Sequence, residues 1–198
     1  MAPKALILVA DGSEEIEFVT PYDVLTRAGF DVKSAGVQLK NEGYAHLSRN
    51  IRLLPDFPTL LSLPHQTAHE THDILILPGG APGARTFCAT PAVLEMIVAF
   101  KNAGKHVAAI CAGTTALVAA QKKFGGDKGT VTSHPSVRKE CEAEGWAYSE
   151  ERCVVDGRVV TSRGPGTAML FALTIVELLC GKEKRDEVAG PMIVAETL

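Results

Sequence analysis

Apolar and polar positions change period repeatedly along the chain, and the changes mark out alternating strands and helices. Ala5 to Ala10 and Ile74 to Leu77 are unbroken apolar runs of strand length, the form taken by strands covered on both faces. Further strands are expected at Asp31 to Ala35, around His46 to Leu54 and at Thr130 to Thr132. A helix between the first two strands ends near Ala28-Gly29, but its start is open. Thr20-Pro21 can cap it, or it begins as early as Ser13 and carries Pro21 inside. That choice decides whether Glu17 lies on a helix or in a loop. After Thr90-Pro91, the residues Val93, Met96, Ile97 and Phe100 fall at i, i+3, i+4 and i+7, which predicts an amphipathic helix stopped by Gly104. His106 to Ile110 is another apolar strand, ending at Cys111 just before a helical stretch. A polar helix follows His134-Pro135 and reaches Glu144.

Near the C-terminal end, Asp156-Gly157 lies between two valine pairs within Cys153 to Thr161 and signals a β-hairpin. Gly164-Pro165-Gly166-Thr167 then opens an apolar helix that reaches Cys180-Gly181. Pro58 to Asp73, with three histidines, reads as a polar surface insertion. The expected fold is therefore an α/β three-layer sandwich with a mainly parallel central sheet and a small hairpin. Ligands of such folds collect at the carboxyl ends of strands. Three features fall at such ends: Asp11 to Glu17, Pro78-Gly79-Gly80, and Cys111.

With 198 residues, the chain suits one domain spanning 1–198, and 46% hydrophobic residues supply its core. A net charge of -3 without a large basic cluster argues against nucleic acid as the main partner. The N-terminal apolar run is too short for a signal peptide or a membrane span, so no membrane association is expected and the cytoplasm is the default compartment. Five cysteines without a C-x-x-C pair fit neither a zinc ribbon nor a disulfide framework.

Any special cysteine must then owe its chemistry to its surroundings. Cys111 stands where a strand meets a helix, in the small-x-nucleophile-x-small setting Ala109-Ile110-Cys111-Ala112-Gly113. Unpaired N–H groups at the helix start favour a thiolate there, and a buried structural cysteine is the plain alternative. Glu17 has Ile16, Phe18 and Val19 beside it, surroundings that raise a carboxyl pKa and suit proton transfer. Glu14 and Glu15 suit a helix dipole instead. His134 is either a cap before a helix or the partner of the cysteine. Gly79 and Gly80 either permit a turn or bring backbone N–H groups to a substrate oxygen. Their pattern matches no dinucleotide or phosphate loop, so no cofactor is expected. His65, His69 and His72 could share a helical face, yet the stretch is one residue short of a zinc-protease motif and no metal is expected.

Taken together, Asp11-Gly12-Ser13-Glu14-Glu15-Ile16-Glu17, Leu77-Pro78-Gly79-Gly80, Ala108-Ala109-Ile110-Cys111-Ala112-Gly113, Thr132-Ser133-His134-Pro135 and Thr161-Ser162-Arg163-Gly164-Pro165-Gly166-Thr167 resemble the DJ-1/PfpI family. The resemblance runs over nearly the whole chain. It implies a flavodoxin-like homodimer in the cytoplasm, with the nucleus as a second compartment. It also implies a reactive Cys111, with Glu17 hydrogen-bonded to the sulfur, His134 nearby, and N–H groups of Gly80 and Ala112 forming an oxyanion hole beside Gly79. The implied activity is cofactor-independent glyoxalase chemistry on methylglyoxal or glyoxal, giving lactate or glycolate, with protection against carbonyl and oxidative stress. Deglycase activity, a redox sensor working through Cys111 oxidation, and a scaffold without turnover are the rivals. Arg27 and Arg49 become anion-binding candidates, with surface ion pairing as the ordinary reading.

Departures from the family pattern narrow the chemistry. Ala112 occupies the place where protease-like relatives have histidine, and Ser136 the place where glutamine amidotransferases have glutamate. Peptide and amide hydrolysis thereby lose the group that orients the histidine. Leu54 replaces a peripheral cysteine before Pro55-Asp56, which removes redox chemistry at that position.

Overall fold

The computed structural model describes residues 2–41, 43–195 and 197. In chain order the elements begin with strand β1 (Lys4–Val9), helix α1 (Glu15–Arg27), β2 (Asp31–Gly36), β3 (Ala45–His46) and β4 (Arg52–Leu53). Then come α2 (Ala68–Thr71), β5 (Ile74–Leu77), α3 (Ala81–Ala89), α4 (Pro91–Asn102), β6 (His106–Ile110) and α5 (Thr114–Phe124). The last are β7 (Thr130–Val131), α6 (Arg138–Ala143), β8 (Ala147–Tyr148), β9 (Cys153–Asp156), β10 (Val159–Ser162), α7 (Ala168–Cys180) and α8 (Lys182–Ala189). The central sheet has six strands in the order β2-β1-β5-β6-β10-β9, parallel except for the terminal β9–β10 hairpin.

Successive side chains of a strand face opposite sides of its sheet, so each apolar run serves two cores. Ile7, Ile74, Ile76 and Ala108 pack with Phe18 and Val24 of α1 and with Phe171 and Ile175 of α7. Leu6, Leu8, Leu75 and Leu77 pack on the other face with Val93, Met96, Ile97 and Phe100 of α4 and Leu117 of α5. The four apolar positions of the amphipathic pattern in α4 are thus all buried, and the result is the three-layer, flavodoxin-like α/β sandwich. No single helix among the described residues is long and apolar enough to cross a membrane.

One local alternative is resolved and other local expectations are corrected. Helix α1 starts at Glu15 with Glu14 as its cap, and Glu14 accepts from the Glu17 N–H at 3.0 Å. Thr20 is therefore inside the helix, with Pro21 also tolerated there, and Glu17 sits in its first turn. The strand expected over His46 to Leu54 is two short strands, β3 and β4, paired antiparallel. Between them Asn50 adopts a φ of +74°, a turn conformation that asparagine accepts more readily than most residues.

Pro58 to Asp73 is not simply a polar insertion. Leu60, Leu63 and Ala68 are buried and join the core beneath Leu6 and Leu8. Helix α3 escaped the periodicity reading because Pro82 and Gly83 lie in its first turn, where proline is compatible with a helix. Helix α8 is strongly charged and carries too few apolar positions for a helical period to show.

Candidate active site

Strands β1, β5 and β6 lie side by side, so the loops leaving their carboxyl ends meet. The chain leaves β1 toward β2 on one side and returns to β5 on the other, which makes the cleft beyond β1 and β5 the topological switch point. All three expected features converge here.

Cys111 has a φ of +63°, unfavourable for a residue with a side chain and held by its surroundings. It forms the sharp turn from β6 into a short 3-10 turn and α5. Thr115 Oγ1 fastens this turn through a 2.8 Å bond to the Ala112 carbonyl, while Thr114 Oγ1 reaches the Thr132 carbonyl at 3.2 Å. The sulfur accepts hydrogen bonds from the backbone N–H groups of Ala112 and Gly80. Those donors are the ones the oxyanion reading requires.

Gly79 has a different part. Its N–H donates to Glu17 Oε2 at 2.8 Å, so it holds the carboxyl rather than serving a substrate. A Cβ on Gly79 would stand 2.6 Å from Glu17 Oε2 and 2.7 Å from Cys111 Cβ, and only glycine allows this approach. Gly80 has a φ of +81°, and a Cβ there would strike the Gly12 carbonyl oxygen. The loops after β1, β5 and β6 are therefore in direct contact.

Glu17 is completely buried. Burial pushes its carboxyl up to about 7, against hydrogen bonds from Cys111 and Gly79 that pull it down. Its Oε1 has no hydrogen-bond partner among the described residues. The expected readily formed thiolate needs correction: burial, with the charge and hydrogen bonding of Glu17, pushes the Cys111 thiol up to about 12, although Ala112 and Gly80 pull it down. Desolvation outweighs the two N–H groups. The two residues share protons as a pair, which loses its first near pH 7 and its second near pH 12. Between those values a single proton rests on sulfur or carboxyl.

His134 is exposed, and its Nδ1 accepts from the Ser136 N–H at 3.2 Å, capping the turn Pro135–Val137. The Ser136 hydroxyl is 2.8 Å from the same nitrogen. Among the described residues, no hydrogen bond links His134 to Cys111 or Glu17. Its backbone nevertheless runs two residues beyond Thr132, which is tied to the first residue of α5. Cys111, Glu17, Gly80 and Ala112 thus form one constellation, with Gly79 behind the carboxyl.

Glu15 proves to be more than a partner for the helix dipole. It is 5% exposed and accepts from the Ser48 hydroxyl at 2.7 Å and from the Arg49 N–H. Burial acts to raise its pKa, but these bonds outweigh it and hold the carboxyl below its ordinary value. Ser48 N–H in turn donates to the Ser13 carbonyl, and Glu14 N–H to the Gly79 carbonyl. The β3–β4 loop is thereby connected through α1's approach to the Cys111 constellation. No sequence signal distinguishes Glu15 from its acidic neighbours.

Arg27 is paired with Asp23 at 2.8 Å, the ordinary reading, while the Arg49 guanidinium donates to the Ser48 carbonyl. Two of the three clustered histidines turn to nearby carbonyls, His65 to Leu60 and His72 to Ala68, and His69 stacks edgewise on Phe100. Among the described residues, no group of three or more histidine, cysteine, aspartate or glutamate side chains could hold a metal ion.

Comparison with known proteins agrees with this architecture. The DJ-1/PfpI family model matches residues 3–178. The "Parkinson disease protein 7 homolog" of Danio rerio is 41% identical over 194 residues, covering 98% of each chain. The "Glutathione-independent glyoxalase DJ-1" of Schizosaccharomyces pombe is 35% identical over 186 residues, covering 93% of this chain and 95% of the relative. A solved structure, "Schizosaccharomyces pombe DJ-1", superimposes with a TM-score of 0.89 at 33% identity, over 97% of this chain and all of the other. With a family model over most of its length and relatives aligned almost end to end, the chain belongs to the DJ-1/PfpI family.

Proposed function

We propose that this protein is a glutathione-independent glyoxalase that converts methylglyoxal to lactate, or glyoxal to glycolate, without a cofactor and by lyase-type chemistry. The supporting observation is the fully buried Glu17 carboxyl beside Cys111, whose sulfur faces the N–H groups of Gly80 and Ala112. The name of the Schizosaccharomyces pombe relative points the same way.

In this reading the Cys111 thiolate attacks the aldehyde carbon, a C–S bond forms, and the carbonyl electron pair moves to oxygen. Gly80 and Ala112 N–H groups stabilise that oxygen, which takes the proton held by Glu17. The Glu17 carboxylate then removes the proton from the former aldehyde carbon and delivers it to the adjacent carbon through an enediol, while the hydroxyl proton of the first carbon passes to the oxygen of the second. One carbon is oxidised to a thioester while its neighbour is reduced to an alcohol, so no external oxidant is needed. Water cleaves the thioester, releasing lactate and restoring the thiol. His134 assists with the Nε2–H that its capping role leaves free.

Ile16, Val19, Ile51 and Leu54 are large apolar side chains, each at least half exposed or nearly so, on α1 and the β3–β4 segment. Their exposure supports a homodimer in which a second copy covers them. The same sulfur, N–H and carboxyl arrangement could also hold a sulfinate, with protonated Glu17 donating to it, which supports the sensor reading. Purified protein is to be given methylglyoxal without glutathione, alongside Cys111→Ser and Glu17→Gln. The glyoxalase reading requires lactate from the wild type and its loss in both variants. Absence of lactate, or full activity in both variants, sinks it.

A further inference from the structure

The amino ends of β6 and β10, roughly 15 Å along the strands from Cys111, border a second site that the thiol chemistry does not use. Two adjoining hollows of about 250 and 230 Å³ meet there and share Lys101, Asp127, Trp146 and Val159. The first is edged by Lys128 and Arg158, while the second has an apolar floor that includes Ile97 and Leu117.

Three features distinguish the place from ordinary charged surface. Lys101, Lys128 and Arg158 form no ion pair with any described residue; every ion pair found lies elsewhere. Trp146 is 5% exposed, its indole N–H has no partner, and Lys101 Nζ lies 5.8 Å over its ring. Of the two acids at the rim, Asp156 is already committed through Oδ2 to the Thr130 N–H at 2.6 Å, and Asp127 holds Lys101 through its backbone carbonyl at 3.3 Å. Three cations against two acids leave the rim net positive.

We propose that the paired hollows bind a small organic phosphate carried on a flat apolar ring. An arginine fork and two ammonium groups match a multiply charged phosphate, and the adjoining apolar floor beside Trp146 accepts the ring. Inorganic phosphate satisfies only the first hollow. An uncharged ring satisfies only the second.

Trp146 is the single tryptophan of the chain, so nitrogen-15 labelling yields one indole N–H resonance at the site. Phenyl phosphate titrated into the full-length protein is expected to shift that resonance and the Gly129 and Thr130 amides saturably. Inorganic phosphate and phenol are each expected to bind about tenfold more weakly, and so is phenyl phosphate to the Lys128→Gln/Arg158→Gln double variant. Both residues are exposed, so the variant keeps its fold, and its Cys111 alkylation rate is expected to match wild type. Failure of the three resonances to shift saturably overturns the site. Equal affinity in the double variant, or equal affinity for inorganic phosphate, overturns the pairing of charge and ring.

Discussion

Glu17 Oε2 and the Gly79 N–H are joined by a 2.8 Å hydrogen bond across 62 positions of the sequence. The bond ties the first turn of α1 to the loop after β5 and aims the carboxyl at the sulfur that ends β6. A carboxyl held from behind can exchange its proton with Cys111 without searching for it. In the proposed glyoxalase reading the loop glycine is thus a positioning residue for the side chain that carries the proton.

Gly79→Ala tests this relationship. The added methyl would meet Glu17 Oε2 at 2.6 Å and Cys111 Cβ at 2.7 Å, so one of them must move. Displacement of a reacting group by about 1 Å costs on the order of 100-fold in rate, and overpacking costs about 1–3 kcal/mol in stability. Lactate formation and denaturant unfolding measure the two effects. Activity within twofold of wild type would show that the contact does not position the site.

Glu17 also makes stability depend on pH. Its folded pKa is raised from 4.5 to about 7, so the folded state holds the proton more tightly than the unfolded one. The resulting stabilisation is complete below pH 4.5 and is lost as pH rises through about 7. A shift of that size corresponds to about 3 kcal/mol. Wild type should therefore lose stability relative to Glu17→Gln between pH 4.5 and 7.5 in parallel urea titrations. A constant difference across that range contradicts the assigned shift.

Reactivity of Cys111 should follow the same first proton. An isolated thiol titrates near 9, but here the pair gives up its first proton near pH 7, and the glyoxalase reading requires that the remaining proton can sit on Glu17 with the thiolate facing Gly80 and Ala112. Alkylation of Cys111 by iodoacetamide, located by mass spectrometry, is expected to rise with a midpoint near 7 and then level. A rise centred at 9 or above would mean that the proton stays on sulfur. The glyoxalase reading would then lack its nucleophile.

Much of this arrangement is legible before any coordinates, because buried parallel strands and the strand-to-helix turn at Cys111 leave strong local patterns. The unbroken Ile74 to Leu77 run, the helical spacing of Val93 to Phe100 and the Asp156-Gly157 hairpin all appear where expected. What stayed hidden depends on partners distant in sequence. Neither the bond from Gly79 to Glu17 nor the burial of Glu15 under Ser48 and Arg49 has a local signature. The Cys111 thiol shows why direction can mislead as well: nearby N–H groups are readable from a helix start, but the larger desolvation needs the packed structure.

Glu15 provides the last test, because it joins the β3–β4 loop to the approach of α1. Glu15→Ala leaves the Ser48 hydroxyl and the Arg49 N–H without their acceptor, whereas Glu15→Gln retains a carbonyl oxygen for one of them. Loss of a charged acceptor for buried donors costs about 1.5–3 kcal/mol. Amide exchange over residues 47–51 should accelerate in the alanine variant and recover partly in the glutamine variant, while exchange in β5 and β6 shifts only with global stability. If the loop connection also steadies the cleft, lactate formation should follow the loop's exchange rate across wild type and both variants. Uniform acceleration through the whole molecule would reduce Glu15 to a general stability contact, and unchanged exchange at 47–51 would remove its anchoring role.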